Sequence, residues 1–174
     1  MIRVTKAAAG HIPAVSKIYN EIHTEEEQGR ALIGWSRETY PTEKTAAGAQ
    51  ALGELYVMED EGEIVAAAII NKTQPPSYET ARWEYPAPPE RVLVLHTLVV
   101  SPRFPRKGYG KAFVEFYERL AMESDCPYLR IDTNALNAPA RALYKKLGYK
   151  EIDIVKCEFN GLKDVNLVCL EKTL

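Results

Sequence analysis

The chain has 174 residues, of which 46% are hydrophobic and 26% charged, and its formal net charge is −2. That length suits one domain with its own core, and the composition excludes disordered and low-complexity classes. A sequence pI near 6.0 removes the electrostatic case for a nucleic-acid partner, which calls for a broad basic surface.

Cys126, Cys157 and Cys169 form no CxxC and no Cys/His ladder, so neither a metal site nor a disulfide framework is expected. No run reaches the ~18–20 apolar residues of a membrane span. The first residues, Met1 to Lys6, lack the apolar run of a secretory signal. A soluble cytoplasmic protein with no membrane partner is the expectation.

In chain order, Ile2–Val4 reads as a short strand. Ile12, Val15, Ile18, Tyr19 and Ile22 recur at helical spacing, which predicts an amphipathic helix over 11–27 with Pro13 in its first turn. Residues 28–42 read as irregular, and Thr42 is an N-cap for an Ala-rich helix over 43–52. Leu55–Met58 and Ile64–Ile70 are strands joined through Asp60-Glu61-Gly62. Residues 73–90 carry Pro75, Pro76, Pro86, Pro88 and Pro89 among Tyr78, Trp83 and Tyr85, and form the longest expected loop.

Val92–Val100 is almost continuously apolar, as in a strand covered on both faces and central in its sheet. After a turn-rich stretch over 101–107, Phe113, Phe116, Tyr117 and Leu120 predict a helix over 111–123. Leu129–Thr133 is a strand, and Ala140, Leu143, Tyr144 and Leu147 mark a helix stopped by Gly148. Residues 150–158 and 164–172 form a closing antiparallel pair that turns at Asn160-Gly161.

The order β-α-α-β-β-β-α-β-α-β-β predicts a single domain over 1–174 of mixed α+β class. Its sheet is mostly antiparallel, of about six to seven strands, with about four helices. One right-handed strand–helix–strand crossover makes 92–100 and 128–133 parallel neighbours.

The strongest chemical signal is Arg106-Lys107-Gly108-Tyr109-Gly110-Lys111, set between a buried strand and an amphipathic helix. Glycines let backbone N–H groups approach a phosphate, and the helix start adds about half a positive charge. Walker A is absent, and the third glycine of the dinucleotide fingerprint is replaced by Phe113. An ATPase and a dehydrogenase are both disfavoured. Further on, Asn137 and Tyr144 are seven apart and share a helix face. Taken alone, Asn137 reads first as a helix cap and Tyr144 as a core aromatic.

Taken together, Leu98-Val99-Val100-Ser101-Pro102, the basic GxG loop, and Asn137-x-x-Ala-x-x-Leu-Tyr-x-x-Leu-Gly-Tyr resemble the GNAT superfamily of acyl-CoA-dependent N-acetyltransferases. The resemblance covers about residues 91–150, the expected acetyl-CoA-binding core. It implies direct acetyl transfer from acetyl-CoA, as cosubstrate and without metal, to an amine on a small molecule or peptide. The pyrophosphate would rest on Arg106, Lys107, Gly108, Tyr109, Gly110 and Lys111. The pantetheine would run along backbone groups of Leu98 and Val100, with Asn137 beside it and the Val99 N–H facing the oxyanion. The family loop begins with Arg or Gln, a position held here by Pro105, with Arg106 next to it.

By the same resemblance Tyr144 is the candidate general acid and His96, on the central strand, a candidate base. A hydrogen-bonded core histidine is the other reading of His96, and Glu84 is a second candidate base. Trp35, Tyr40, Trp83 and Tyr85 suit an acceptor pocket for an amine with an apolar or cationic body, or else a hydrophobic minicore or dimer contact. A homodimer through the last strand pair is possible. A non-catalytic acyl-CoA sensor on the same fold is the alternative function.

Overall fold

The computed structural model describes residues 1–174. The elements are β1 (Arg3–Lys6), α1 (Ile12–Glu27), α2 (Glu43–Ala51), β2 (Leu55–Asp60), β3 (Glu63–Asn71), β4 (Val92–Val100), α3 (Tyr109–Glu123), β5 (Tyr128–Asn134), α4 (Ala138–Lys146), β6 (Lys150–Phe159) and β7 (Leu162–Thr173). They follow the order read from the sequence, with ends displaced by a residue or two. α3 starts two residues early, at Tyr109, because Gly108 takes the left-handed conformation (φ 75°) and lets the chain turn directly into the helix.

One seven-stranded sheet has the order β1-β2-β3-β4-β5-β7-β6. All pairings are antiparallel except β4 with β5. The β2–β3 turn carries Glu61 and Gly62 at φ 50° and 81°, and the β6–β7 turn carries Asn160 and Gly161 at 52° and 78°. Two successive left-handed residues are the signature of a tight hairpin whose twist matches its strands.

β4 is buried on both faces. Leu93 and Leu95 join a core with Phe113, Val114 and Tyr117 of α3. Val99 joins the opposite core, built from Val15 and Ile18 of α1 and Ala46 of α2. Val92 and Val94 pack with Tyr78, Leu167 and Cys169 in a third cluster. At about 25 cal/mol per Å² of apolar burial, the first two clusters hold the helices against the sheet, and the third holds the Pro-rich segment.

The Pro-rich segment between β3 and β4 is more ordered than its composition suggests. It contains a short 3-10 turn, Pro76–Thr80, whose Tyr78 is buried. The Trp83 indole N–H donates to the Tyr78 carbonyl at 2.9 Å, and the Arg130 guanidinium lies 4.2 Å from the centre of the Trp83 ring. No helix is long and apolar enough to cross a membrane.

Candidate active site

Two adjoining cavities occupy the end of the sheet where β4 stops. The smaller, about 350 Å³, lies at the start of α3 and is lined by the 104–111 segment, Val100 and Leu143. The first backbone bond of α3 runs from Ala112 N–H to Gly108 O. The N–H groups of Tyr109, Gly110 and Lys111 are therefore free to donate outward, as at any helix start. Arg103 is not part of this site's charge, since it pairs with Glu21 at 2.9 Å and with Glu63. Lys111 shares its charge with Glu115 at 3.6 Å. Arg106 and Lys107 are exposed and pair with no carboxylate. The helix N-terminus and these cations form a cradle for a polyanion such as a pyrophosphate. Tyr109 contributes only backbone, because its ring is buried and its hydroxyl donates to Asp60 Oδ2 at 2.8 Å.

The larger cavity, about 890 Å³, runs from this cradle between β4 and β5. The two strands pair from Val92↔Tyr128 to Leu95↔Ile131, and no pair follows. Beyond Leu95, β4 still pairs with β3 through Val99 and Val100, but its register slips between Ala67 and Ile69. Thr97 sits at the slip with φ 52°, a left-handed conformation that is costly for a β-branched residue. The bulge bends β4 away from β5, while β5 stays bonded to β7 as far as Asn134↔Leu167. The β5-facing edge of residues 96–100 is thus left without a strand. An extended ligand bearing amide groups can add to such an edge as a strand would. Leu98, Val99 and Val100 line this opening, with Asn137 and Tyr144 on the α4 side.

Asn137 caps α4 by accepting the Ala140 N–H at 3.3 Å. Its amide nitrogen remains for a ligand. The Tyr144 ring is buried against Tyr149, with centroids 6.0 Å apart, and burial, with a smaller contribution from Asp132, pushes its hydroxyl pKa upward. A tyrosine held in its neutral form is a proton donor rather than a base.

Trp35, Tyr40 and His96 also line this cavity. Trp35 and Tyr40 meet edge to face at 6.1 Å, and the Tyr40 hydroxyl is hydrogen-bonded to Thr97 Oγ1 at the bulge. His96 is in place, but its basicity is not. Asn71 Oδ1 accepts the Thr73 N–H at 3.0 Å, and Asn71 Nδ2 donates to Glu54 Oε2 at 2.9 Å. Those two bonds orient the amide, so the His96 Nε2 must be the donor in its 2.7 Å bond to Asn71 Oδ1. Burial lowers the His96 pKa to about 4, which a backbone hydrogen bond at Thr73 offsets only in part. Such an imidazole is neutral at physiological pH and accepts a proton poorly.

Trp83 and Glu84 line neither cavity, and the acceptor role expected of them is corrected here. Trp83 covers the third cluster, stacked on Tyr78 with centroids 5.0 Å apart. The Glu84 carboxylate is drawn to Lys150 at the surface, and its N–H donates to Glu171 Oε1 at 2.6 Å.

Asp132, on β5, is the residue that pattern reading missed. It lines the large cavity and accepts the Tyr78 hydroxyl at 2.6 Å. What surface it exposes is cavity wall. Burial raises its pKa from 3.8 to about 6, against the opposing effect of the Tyr78 bond. The available signal was a carboxylate inside a strand next to the central one, where charged residues are rarely buried without a reason. No three His, Cys, Asp or Glu side chains converge as metal ligands.

The sequence matches the Acetyltransferase (GNAT) family over residues 13–149. No curated relative matches. Among solved structures, an acetyltransferase of the GNAT family from Streptococcus agalactiae superposes with TM-score 0.78 at 17% identity, covering 99% of this chain and 95% of that one. A ribosomal-protein-alanine N-acetyltransferase from Brucella melitensis gives TM-score 0.71 at 18% identity, over 99% of each chain. A Salmonella typhimurium structure determined with its cofactor acetyl-CoA gives TM-score 0.71 at 13% identity, covering 100% of this chain and 94% of that one. The parted β4 and β5 strands, the basic start of α3, and a family match that spans both place this chain in the GNAT family of acetyltransferases.

Proposed function

We propose that this protein transfers an acetyl group from acetyl-CoA directly to an amine, with both substrates bound together. The observation that carries the reading is the unpaired edge of β4 after Leu95, opening beside the helix start that cradles anions. The residues present fit the cosubstrate. The α3 N–H groups with Arg106 and Lys107 suit its phosphates, while the β4 edge and the Asn137 amide suit its amide-bearing arm. Acetyl-CoA supplies an activated acyl thioester.

The chain's own residues supply position and protons. An alkylamine with pKa near 10 is protonated at pH 7, and keeping it neutral costs about 4–5 kcal/mol. Asp132 pairs with the ammonium and takes its first proton, later passed to water, which frees the nitrogen lone pair to attack the thioester carbon. The raised pKa of Asp132 makes it roughly a hundredfold better acceptor than an ordinary aspartate. Tyr144 gives its proton to the departing sulfur, and the charge of Asp132 reaches the same hydroxyl. The second nitrogen proton leaves as the C–S bond breaks and restores Tyr144. The net reaction releases one proton. The cavity wall holds neither cysteine nor serine, which favours direct transfer over an acyl-enzyme.

The test is thermal unfolding with acetyl-CoA, and with ATP and NAD as controls, followed by thiol release on an amine panel. Ligand at ~100 times Kd stabilises by about 2.7 kcal/mol. For this size that is a shift of ~5–11 °C. No shift at millimolar acetyl-CoA would overturn the reading. A shift without thiol release would favour the acyl-CoA sensor.

A further inference from the structure

The charge inventory of the large cavity narrows the acceptor. Its wall includes no lysine and no arginine. It includes two carboxylates, Glu25 and Asp132. Glu25 is already neutralised, since Arg30 binds both its oxygens at 2.8 Å. Asp132 is not. Its hydrogen-bond partner is the Tyr78 hydroxyl, and Tyr40, Tyr144, Cys157 and Cys169 feel its field. Phenols and thiols are not cationic in either protonation state, so none of these groups compensates the charge of Asp132, and their raised pKa values keep them neutral at pH 7.

The remaining wall is mostly apolar, with Ile22, Ile33, Trp35 and Ile69 among its members, and its amides, Asn71, Asn134 and Asn160 among them, are uncharged. The cavity is also partly roofed. The β6–β7 hairpin brings Phe159, Asn160 and Leu162 onto the cavity. At its tip, a Cβ on Gly161 would stand 3.0 Å from Thr39 Cγ2, so hairpin and α1–α2 connection touch. On the other side of that connection, a Cβ on Gly34 would overlap the Asn134 amide at the end of β5. The connection is therefore held at both flanks, beside a cavity that remains partly open.

We propose that the acceptor is a small monoamine with an apolar or aromatic body and no anionic group. This rests on the acetyltransferase reading above. The ammonium pairs with Asp132, and the body packs against the Ile33–Trp35 wall. A carboxylate on the acceptor would be buried without a cation and beside the like charge of Asp132. A second ammonium, as in a polyamine, would lack a free carboxylate. A polypeptide would bring further backbone amides against the Ile22, Ile33, Trp35 and Ile69 side chains, which offer them no hydrogen-bond partners.

The test compares kcat/KM, read by thiol release, for tryptamine and phenethylamine against tryptophan, phenylalanine, spermidine and an alanine-terminated peptide. Each monoamine should exceed its own amino acid by at least a hundredfold, and exceed spermidine and the peptide by at least tenfold. Ile33→Lys, which adds a cation to the wall, should narrow the tryptamine-to-tryptophan ratio at least tenfold. Equal or better use of the amino acids, spermidine or the peptide overturns the inference. So does an acetyl-CoA thermal shift with no turnover of either monoamine. Absence of the thermal shift would instead strike the acetyltransferase reading itself, so the two failures are distinguishable.

Discussion

Asp132 combines an energetic cost with a position that chemistry can use. Its carboxyl keeps the proton up to about pH 6 in the folded protein, against about 3.8 in the unfolded chain. The folded state therefore binds more protons between those values, and Asp132 makes stability fall as pH rises through that window. At neutral pH its ionisation costs the fold roughly 2–3 kcal/mol. Asp132→Asn still accepts the Tyr78 hydroxyl and removes that cost. It should hold or raise Tm at pH 7.5 in calorimetry while lowering kcat/KM by about 10²–10⁴. The wild-type profile of kcat/KM should fall below pH ~6, and that limb should vanish in the variant. Tyr78, Tyr40, Tyr144, Cys157 and Cys169, the groups facing Asp132, titrate too high to produce that limb. His96→Ala should keep the limb, since an imidazole with pKa about 4 changes charge below it. Loss of the limb in His96→Ala would return the base to His96.

At the scale of elements, the bulge in β4 and the pinned Pro-rich segment do opposite things. At the Thr97 bulge β4 parts from β5 and a site opens, whereas Trp83 fastens the 72–91 segment to the sheet through Tyr78 and Arg130. Trp83→Phe keeps an aromatic ring and loses the indole N–H bond to Tyr78. A loss of about 1 kcal/mol in denaturant unfolding is expected, with KM for the amine unchanged. A raised amine KM at unchanged stability would restore Trp83 to the acceptor pocket. At the start of α3, Arg106 and Lys107 are the unpaired cations. The double change to alanine should weaken acetyl-CoA binding about tenfold or more in calorimetric titration at low ionic strength. That difference should shrink as salt rises, because exposed charges are screened.

For the molecule as a whole, one sheet is sealed by hydrophobic packing along most of its length and parted at one end. Val92–Leu95 is paired with β5, and Val94 and Leu95 with β3 as well, whereas His96, Val99 and Val100 pair on the β3 side alone. Hydrogen exchange should therefore show acetyl-CoA protecting peptides that contain 96–100 and 106–111. The Val92–Leu95 segment, already in its ladder, should change little. Protection spread evenly over the sheet would indicate global stabilisation rather than a ligand seated at the parted strands.

The sequence by itself determined the order of elements, the central place of β4 and the glycine-bearing basic turn at the start of α3. Apolar spacing sets helix and strand periods, nine nearly unbroken apolar residues require burial on both faces, and Gly108 marks the turn into the helix. The Asn137 and Tyr144 face of α4 was legible for the same reason, two turns of one helix. The tertiary structure alone decided what depends on surroundings. Trp83 and Glu84 carry no mark of where their part of the loop packs: Thr73, Pro75 and Pro76 at its start line the cavity, whereas Trp83 and Glu84 do not. His96 and Asp132 have ordinary pKa values in water, and only burial made one a weak base and the other a stronger one.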